Sequence, residues 1–329
     1  MGEVNEEAIK AKKLELDLAI AAGLFDRVPA IAAMLALLSK PKKSGFFDGC
    51  KFTALELLQG DRPLPRQWTG RLIGPNGQPG VGLLPRGEVG LFAGSAGGGK
   101  SMIAIGLAIG IASGTPALDV VDCPRGRVLI VSTEDDADEL YRRIYCYLER
   151  AAQANGGLDT FDACGRIDCL VRPKGVDWSL VDSGGRPTAA YEALNEIVQV
   201  GEYALVVLDT LSRLGNDEIE KSPTASRKFV ELLEQLTAAP SKPTVLMLHH
   251  MRKAENGNGK RKGGEDVEED LTADSIRGTS GLVGGVRFAI IAQPQDGVVR
   301  VVLAKSNYGP RTTINLRKGE HGVIWGRAT

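Results

Sequence analysis

The chain has 329 residues, of which 43% are hydrophobic and 25% charged, with a formal net charge of −1. That length buries one large core, or one core with a small accessory domain, and the near-zero charge excludes bulk attraction to nucleic acid or membranes. No basic-then-apolar leader opens the chain, and the most apolar run, Met102 to Ala112, is about half the ~20 residues of a spanning helix; with five cysteines in no C-x-x-C pair, these features predict a reduced, cytoplasmic protein without a membrane partner.

Residues 3–59 read as helical, because Leu14, Leu16, Ile20 and Leu24, then Val28, Ile31, Met34, Leu35 and Leu37, recur near helical spacing between charges. A further short helix is expected around Thr53–Leu58. The segment 1–59 is therefore assigned to a small helical domain, serving either contact with a partner or plain packing on the core. Residues 60–85 are dense in Gly, Pro and turn residues and read as a linker. From 86 to 329, strands and helices alternate. Strands are expected at Glu88–Ala93, Arg127–Ser132, Arg166–Val171, Ala204–Leu208, Thr244–Leu248, Val286–Ala292 and Val298–Ala304. Helices are expected at Ser101–Ser113, Ala137–Ala152, Thr188–Val200 and Ala225–Ala238, with a closing hairpin at Thr312–Leu316 and Val323–Trp325. This alternation predicts an α/β domain with a mainly parallel central sheet.

Between the first of those strands and the helix after it lies Gly94-Ser95-Ala96-Gly97-Gly98-Gly99-Lys100-Ser101, a Walker A spacing in its confirming context. Glycines let backbone N–H groups converge on a phosphate where side chains would collide. The helix start adds its dipole, Lys100 reaches the β and γ oxygens, and Ser101 supplies a hydroxyl to Mg²⁺. The expected ligands are ATP and Mg²⁺. The apolar run Ala204–Leu208 ends in Asp209, placed to hold the Mg²⁺ shell. A second strand ends in Ser132-Thr-Glu134-Asp135-Asp136. Hydrolysis needs a base to orient water, and Glu134 is the choice; Asp135 and Asp136 read as helix N-terminal residues. A third strand ends in His249-His250. His250 reads either as a sensor of the γ-phosphate or as a strand-end cap, and no third ligand at zinc spacing accompanies the pair.

Taken together, these segments resemble the RepA-type hexameric replicative helicases of plasmids and mobile elements, within the RecA/DnaB group of P-loop ATPases. The resemblance covers roughly residues 85–326. Besides the segments already named, Leu208-Asp-Thr-Leu-Ser-Arg213, Arg277-Gly-Thr-Ser-Gly-Leu-Val283 with Arg287, and Ala304-Lys-Ser-Asn-Tyr-Gly309 carry it. It implies a RecA-like core, hydrolysis with the base on a separate strand from Asp209, and a homo-oligomeric ring, six-membered in the family. By position, Arg287 matches the arginine finger that enters the neighbouring subunit's site. Lys305 matches the lysine of the DnaB-type K-x-R-N-G-P segment; here asparagine (Asn307) stands where those proteins have arginine, so Arg287 is the better finger and Lys305 a helper. Two loops are implied to face single-stranded DNA in the ring. One spans Arg213 to Ser226; the other follows His250 and carries Arg252, Lys253, Lys260, Arg261 and Lys262 before an acidic run. The helical domain at 1–59 lies outside the resemblance and is assigned a replication partner or ring contact.

The expected function is an ATP-driven, ring-forming DNA helicase or translocase of a plasmid, phage or mobile-element replication system. Two alternatives accompany it: a recombination or repair ATPase that binds DNA without unwinding, and a non-motor ATPase switch or loader acting on a protein.

Overall fold

The computed structural model describes residues 2–23, 28, 31, 64–155, 160–251, 271–276, 280–295 and 297–328. The chain divides into two compact units, Met1–Pro65 and Arg66–Thr329. In the first, α1 spans Gly2–Ala21 and exposes Leu14, Leu18 and Ile20. The expected helix at Thr53–Leu58 lies outside the described residues. Among the described residues no helix is long and apolar enough to cross a membrane.

The second unit begins with β1 (Trp68–Ile73) and β2 (Pro79–Pro85), followed by β3 (Val89–Gly94) and α2 (Lys100–Ser113). Next come β4 (Val121–Asp122), β5 (Arg127–Ser132), α3 (Ala137–Asn155), α4 (Thr160–Cys164), β6 (Ile167–Val171), α5 (Ala189–Val200) and β7 (Tyr203–Asp209). Three helices follow, α6 (Leu211–Leu214), α7 (Asp217–Lys221) and α8 (Pro223–Thr237). The chain continues through β8 (Thr244–His250), α9 (Ser280–Gly285), β9 (Phe288–Gln295), β10 (Val298–Ser306), β11 (Thr312–Lys318) and β12 (Ile324–Arg327).

Nine strands form one sheet in the order β12-β11-β10-β9-β3-β8-β7-β5-β6. The six from β9 to β6 are mutually parallel, and β9 to β12 continue it as an antiparallel meander. This is an α/β fold with a mainly parallel central sheet. Its central strands are apolar at nearly every position because both faces are covered. Alternate residues point to opposite faces: Phe92, Ile130, Val207 and Leu246 join α2 and α3 in one cluster. Leu91, Leu129, Val206 and Met247 join α5 and α8 in the other. At one place the sheet requires glycine. A Cβ on Gly90 would fall 2.1 Å from Cζ of the buried Phe288, its register partner on β9.

Two sequence expectations are corrected here. The stretch 60–85, read as a linker, is from Trp68 to Pro85 an antiparallel pair, and β4 extends it to a three-stranded sheet. Its glycines mark close approach rather than loop: a Cβ on Gly82 would fall 2.1 Å from Cζ3 of Trp68, and one on Gly80 would fall 2.6 Å from the Leu72 carbonyl oxygen. The second is the loop expected from Arg213 to Ser226. It consists of α6, α7 and the start of α8, with Leu214, Ile219 and Ser226 buried.

Candidate active site

In a parallel sheet the crevice beyond the carboxyl ends of the strands is where ligands bind. Here that edge gathers the ends of β3, β8, β7 and β5. In register, Gly94 lies beside His250 and Ser132 beside Asp209. Beyond these strand ends lies one cleft of about 380 Å³ bounded by Ala96–Met102, Glu134, Asp135, Glu139, Arg143, Asp209, Thr210, His250, Lys318, His321 and Gly322.

The phosphate loop is shaped by residues in left-handed backbone. Gly97 has φ 69° and Gly99 φ 86°, and a Cβ on Gly99 would fall 2.5 Å from Cδ1 of Ile324 on β12. No side chain caps the start of α2, so its first N–H groups face the cleft. The Lys100 ammonium donates to the carbonyls of Gly94 and Ser95 at 3.0 and 2.9 Å. Burial lowers its pKa, opposed by the charges of Asp209 and Glu134. A phosphate arriving in the loop would relieve that desolvation with negative charge.

Ser101 Oγ donates to Asp209 Oδ2 at 2.6 Å. Burial pushes the Asp209 carboxyl up to about 6; the Ser101 hydroxyl pulls it down, and Glu134 and Asp135 raise it again. A buried carboxylate paired with one hydroxyl and crowded by two other acids offers hard oxygen donors and negative charge, which fits Mg²⁺. Among the described residues no group of three or more His, Cys, Asp and Glu side chains could hold a metal ion. Ser101 and Asp209 are the residues that would hold it.

The three carboxylates after β5 divide by their contacts. Asp135 pairs with Arg143 Nη1 at 2.7 Å, and burial raises its pKa. Asp136 Oδ1 accepts the Glu139 N–H at 3.0 Å at the start of α3. Glu134 faces the cleft with 43% of its side chain exposed, and its Oε1 lies 3.9 Å from His250 Nε2. That separation is too long for a hydrogen bond, so a Glu134 oxygen is open to water. The adjacent His249 is fully buried and points to Glu220 on α7, Nε2 to Oε1 4.0 Å.

Several residues of the cleft were not anticipated. Thr133 Oγ1 donates to the Asp209 carbonyl at 2.9 Å and accepts the Thr210 N–H at 3.0 Å. Thr210 Oγ1 in turn donates to the Leu248 carbonyl at 3.0 Å. These bonds tie the ends of β5, β7 and β8 together, and the Asp209–Thr210 peptide within them is cis. Lys318, His321 and Gly322, from the turn between β11 and β12, form the opposite wall. A polar turn carrying the chain's third histidine was the available signal.

The two residues expected to act on a neighbour lie elsewhere. Arg287 precedes β9 at the amino edge of the parallel strands, its N–H bonded to the Val89 carbonyl. The Lys305 ammonium donates to the carbonyls of Val283, Gly284 and Val286 of its own chain at 2.7 to 3.2 Å. Carbonyls left open at the end of α9 attract the cation. Arg213 is exposed on α6. Arg252, Lys253, Lys260, Arg261 and Lys262 lie outside the described residues.

A family profile described as an AAA domain matches residues 64–256, more than half of the chain. The chain belongs to the AAA domain family. Among solved structures it is similar to that of the RadB recombinase, at 17% identity over 74% of this chain and 92% of that one, with a TM-score of 0.47. The matched part of the AAA domain contains the phosphate loop, Glu134, Asp209 and His250; Arg287 and the turn at Lys318–Gly322 follow it. Family membership thus places a P-loop ATPase core on the residues that build the cleft.

Proposed function

We propose that this AAA domain hydrolyses ATP with Mg²⁺ in the cleft at Gly94–Ser101, and that hydrolysis is completed by Arg287 of a neighbouring copy. Lys100 and the loop N–H groups hold the phosphates, and Glu134 orients water in line with the γ-phosphate. His250, beside both Gly94 and Glu134, reports the γ-phosphate to the segment that follows it. Mg²⁺ on Ser101 and Asp209 would neutralise charge on the β and γ oxygens.

One observation supports the reading: Arg287 and the phosphate loop lie at opposite ends of the same parallel strands. The six residues of β3 separate Arg287 from the phosphate loop, about 20 Å at ~3.3 Å per residue. Arg287 therefore cannot serve its own site, yet it stands half-exposed where a second copy could meet it.

With the resemblance of the sequence to RepA-type proteins, the work of hydrolysis is proposed to be movement along single-stranded DNA by a ring, six-membered as in that family. Unwinding in a mobile-element replication system is the narrower form. The basic residues Arg252 to Lys262 would grip the strand. The packing of α6 and α7 favours a second reading. It removes one of the two loops expected on DNA, as suits a recombination or repair ATPase that coats DNA, or a switch acting on protein.

ATP hydrolysis measured with and without single-stranded DNA, alongside displacement of a tailed duplex, tests these readings. Displacement supports the helicase. DNA-stimulated hydrolysis without displacement supports the coating ATPase, and indifference to DNA supports the switch. Wild-type turnover by an isolated monomer would overturn the trans role of Arg287.

A further inference from the structure

At the amino edge of the sheet, remote from the cleft, one carboxylate gathers groups from three separate segments. Glu88 lies immediately before β3, and its side chain is 20% exposed. Its Oε1 accepts the Tyr308 hydroxyl at 2.5 Å and Arg66 Nη1 at 3.1 Å. The Arg66 guanidinium also lies over the Tyr308 ring, 3.5 Å from its centroid. Glu88 Oε2 faces Arg287 Nε at 4.0 Å. The backbone around it is held as well: the Glu88 carbonyl accepts the Val245 N–H at 3.0 Å.

We infer that Glu88 is a positioning residue that presents Arg287 to the neighbouring copy's nucleotide. The inference rests on the trans role of Arg287 proposed above. With Oε1 engaged by both Tyr308 and Arg66, the carboxylate plane is fixed and Oε2 is left toward Arg287. The approach of Oε2 to Nε, at 4.0 Å an attraction between charges rather than a hydrogen bond, leaves the terminal fork of the guanidinium, the part that pairs bidentately with phosphate oxygens, available to an incoming phosphate. The main chain of Arg287 is pinned on both sides, its N–H to Val89 and its carbonyl to the Asn307 N–H, each at 3.1 Å. Side-chain rotation is the remaining freedom, and Glu88 restrains it. Glu88 also neutralises Arg66, which would otherwise stand as a like charge on the far side of the same carboxylate.

A solely structural role, joining Arg66 to the core, makes a different prediction, and mixed assemblies separate the two. In Glu88→Gln the shape and the bond from Tyr308 are kept and the charge is lost. Expected for E88Q is a kcat loss of about 10²-fold, the scale of an ångström-level misplacement, with nucleotide Kd, assembly mass and melting temperature near wild type. Lys100→Ala chains have a dead site but an intact Arg287 arrangement. Mixing them with E88Q chains should raise turnover above either protein alone, because K100A subunits then complete E88Q sites. Tyr308→Phe, which removes one bond to Oε1 and keeps the ring beneath Arg66, should show a smaller loss and the same recovery. Wild-type kcat in E88Q, or a loss that mixing does not recover, would overturn the inference. The trans reading is checked separately by Arg287→Ala mixed with K100A: a fully active R287A chain sinks that reading itself, whereas a dead, rescuable R287A beside a normal E88Q sinks only the role of Glu88.

Discussion

Thr133→Val tests whether the tie between strand ends is what holds the catalytic carboxylates in place. The two side chains are nearly equal in volume, so packing is preserved while the hydroxyl is removed. In the wild type that hydroxyl donates to the Asp209 carbonyl and accepts the Thr210 N–H. The carbonyl keeps a partner, because the Thr133 N–H also donates to it at 2.7 Å. The Thr210 N–H does not, and Thr210 is only 1% exposed. An orphaned buried donor costs about 1–3 kcal/mol, and one lost hydrogen bond adds about 1. A destabilisation of about 2–4 kcal/mol is therefore expected in urea unfolding, read as a lower midpoint at unchanged slope. Because the peptide that shifts carries Asp209, turnover should fall as well. Thr133→Ser keeps the hydroxyl and loses one methyl, about 1 kcal/mol, and should retain the rate. A T133V protein within 0.5 kcal/mol of wild type, as judged against surface substitutions, and turning over normally would refute the reasoning.

Glu134→Gln should bind ATP with near wild-type affinity yet retain it unhydrolysed, measured by filter binding and phosphate release; normal turnover would move the base elsewhere. Gly90→Ala forces a methyl group against Phe288 and should cost about 1–3 kcal/mol of overpacking, with Phe288→Leu recovering part of it in the double variant. Additive effects in that cycle would argue against the contact. Burial pushes the Cys123 thiol up to about 12, so maleimide at neutral pH should label exposed Cys164 in the native protein and Cys123 only on unfolding. Mass spectrometry of the labelled peptides reads this directly.

What could be read from the amino-acid order follows from how local each signal is. The strands β3, β5, β7 and β8 are legible because burial on both faces makes them unbroken apolar runs, and β7 and β8 end in Asp209 and His250, which line the cleft. The phosphate loop is legible because its glycines and Lys100 sit within eight consecutive positions. The pair β1–β2 was hidden because its glycines serve contacts with Trp68 and with the Leu72 carbonyl, and these resemble turn punctuation until the partner strand is known. The helices α6 and α7 are each a turn or so long, below the span over which periodicity can be counted, and Gly215 and Pro223 disguise them further. Thr133 and Thr210 act through backbone atoms on other strands, so their role depends on strand order. The same is true of Glu88, whose partners come from residues 66, 287 and 308.

The placement of Arg287 and Gly94 at opposite ends of parallel strands also constrains symmetry. On the proposed trans role of Arg287, a two-fold dimer completes its sites only if one self-complementary surface carries both the arginine and the phosphate loop, which stand about 20 Å apart at ~3.3 Å per residue of β3. With the two patches that far apart, the proposed completion is met by head-to-tail contacts, in which the patch that gives differs from the patch that receives. Such a contact closes into a ring if its rotation divides a full circle without rise, and otherwise winds into an open helix. Between the two proposed readings, a ring that encircles a strand and a filament that coats it, the difference would then lie in the rotation and rise at a single interface, outside the chemistry of the cleft.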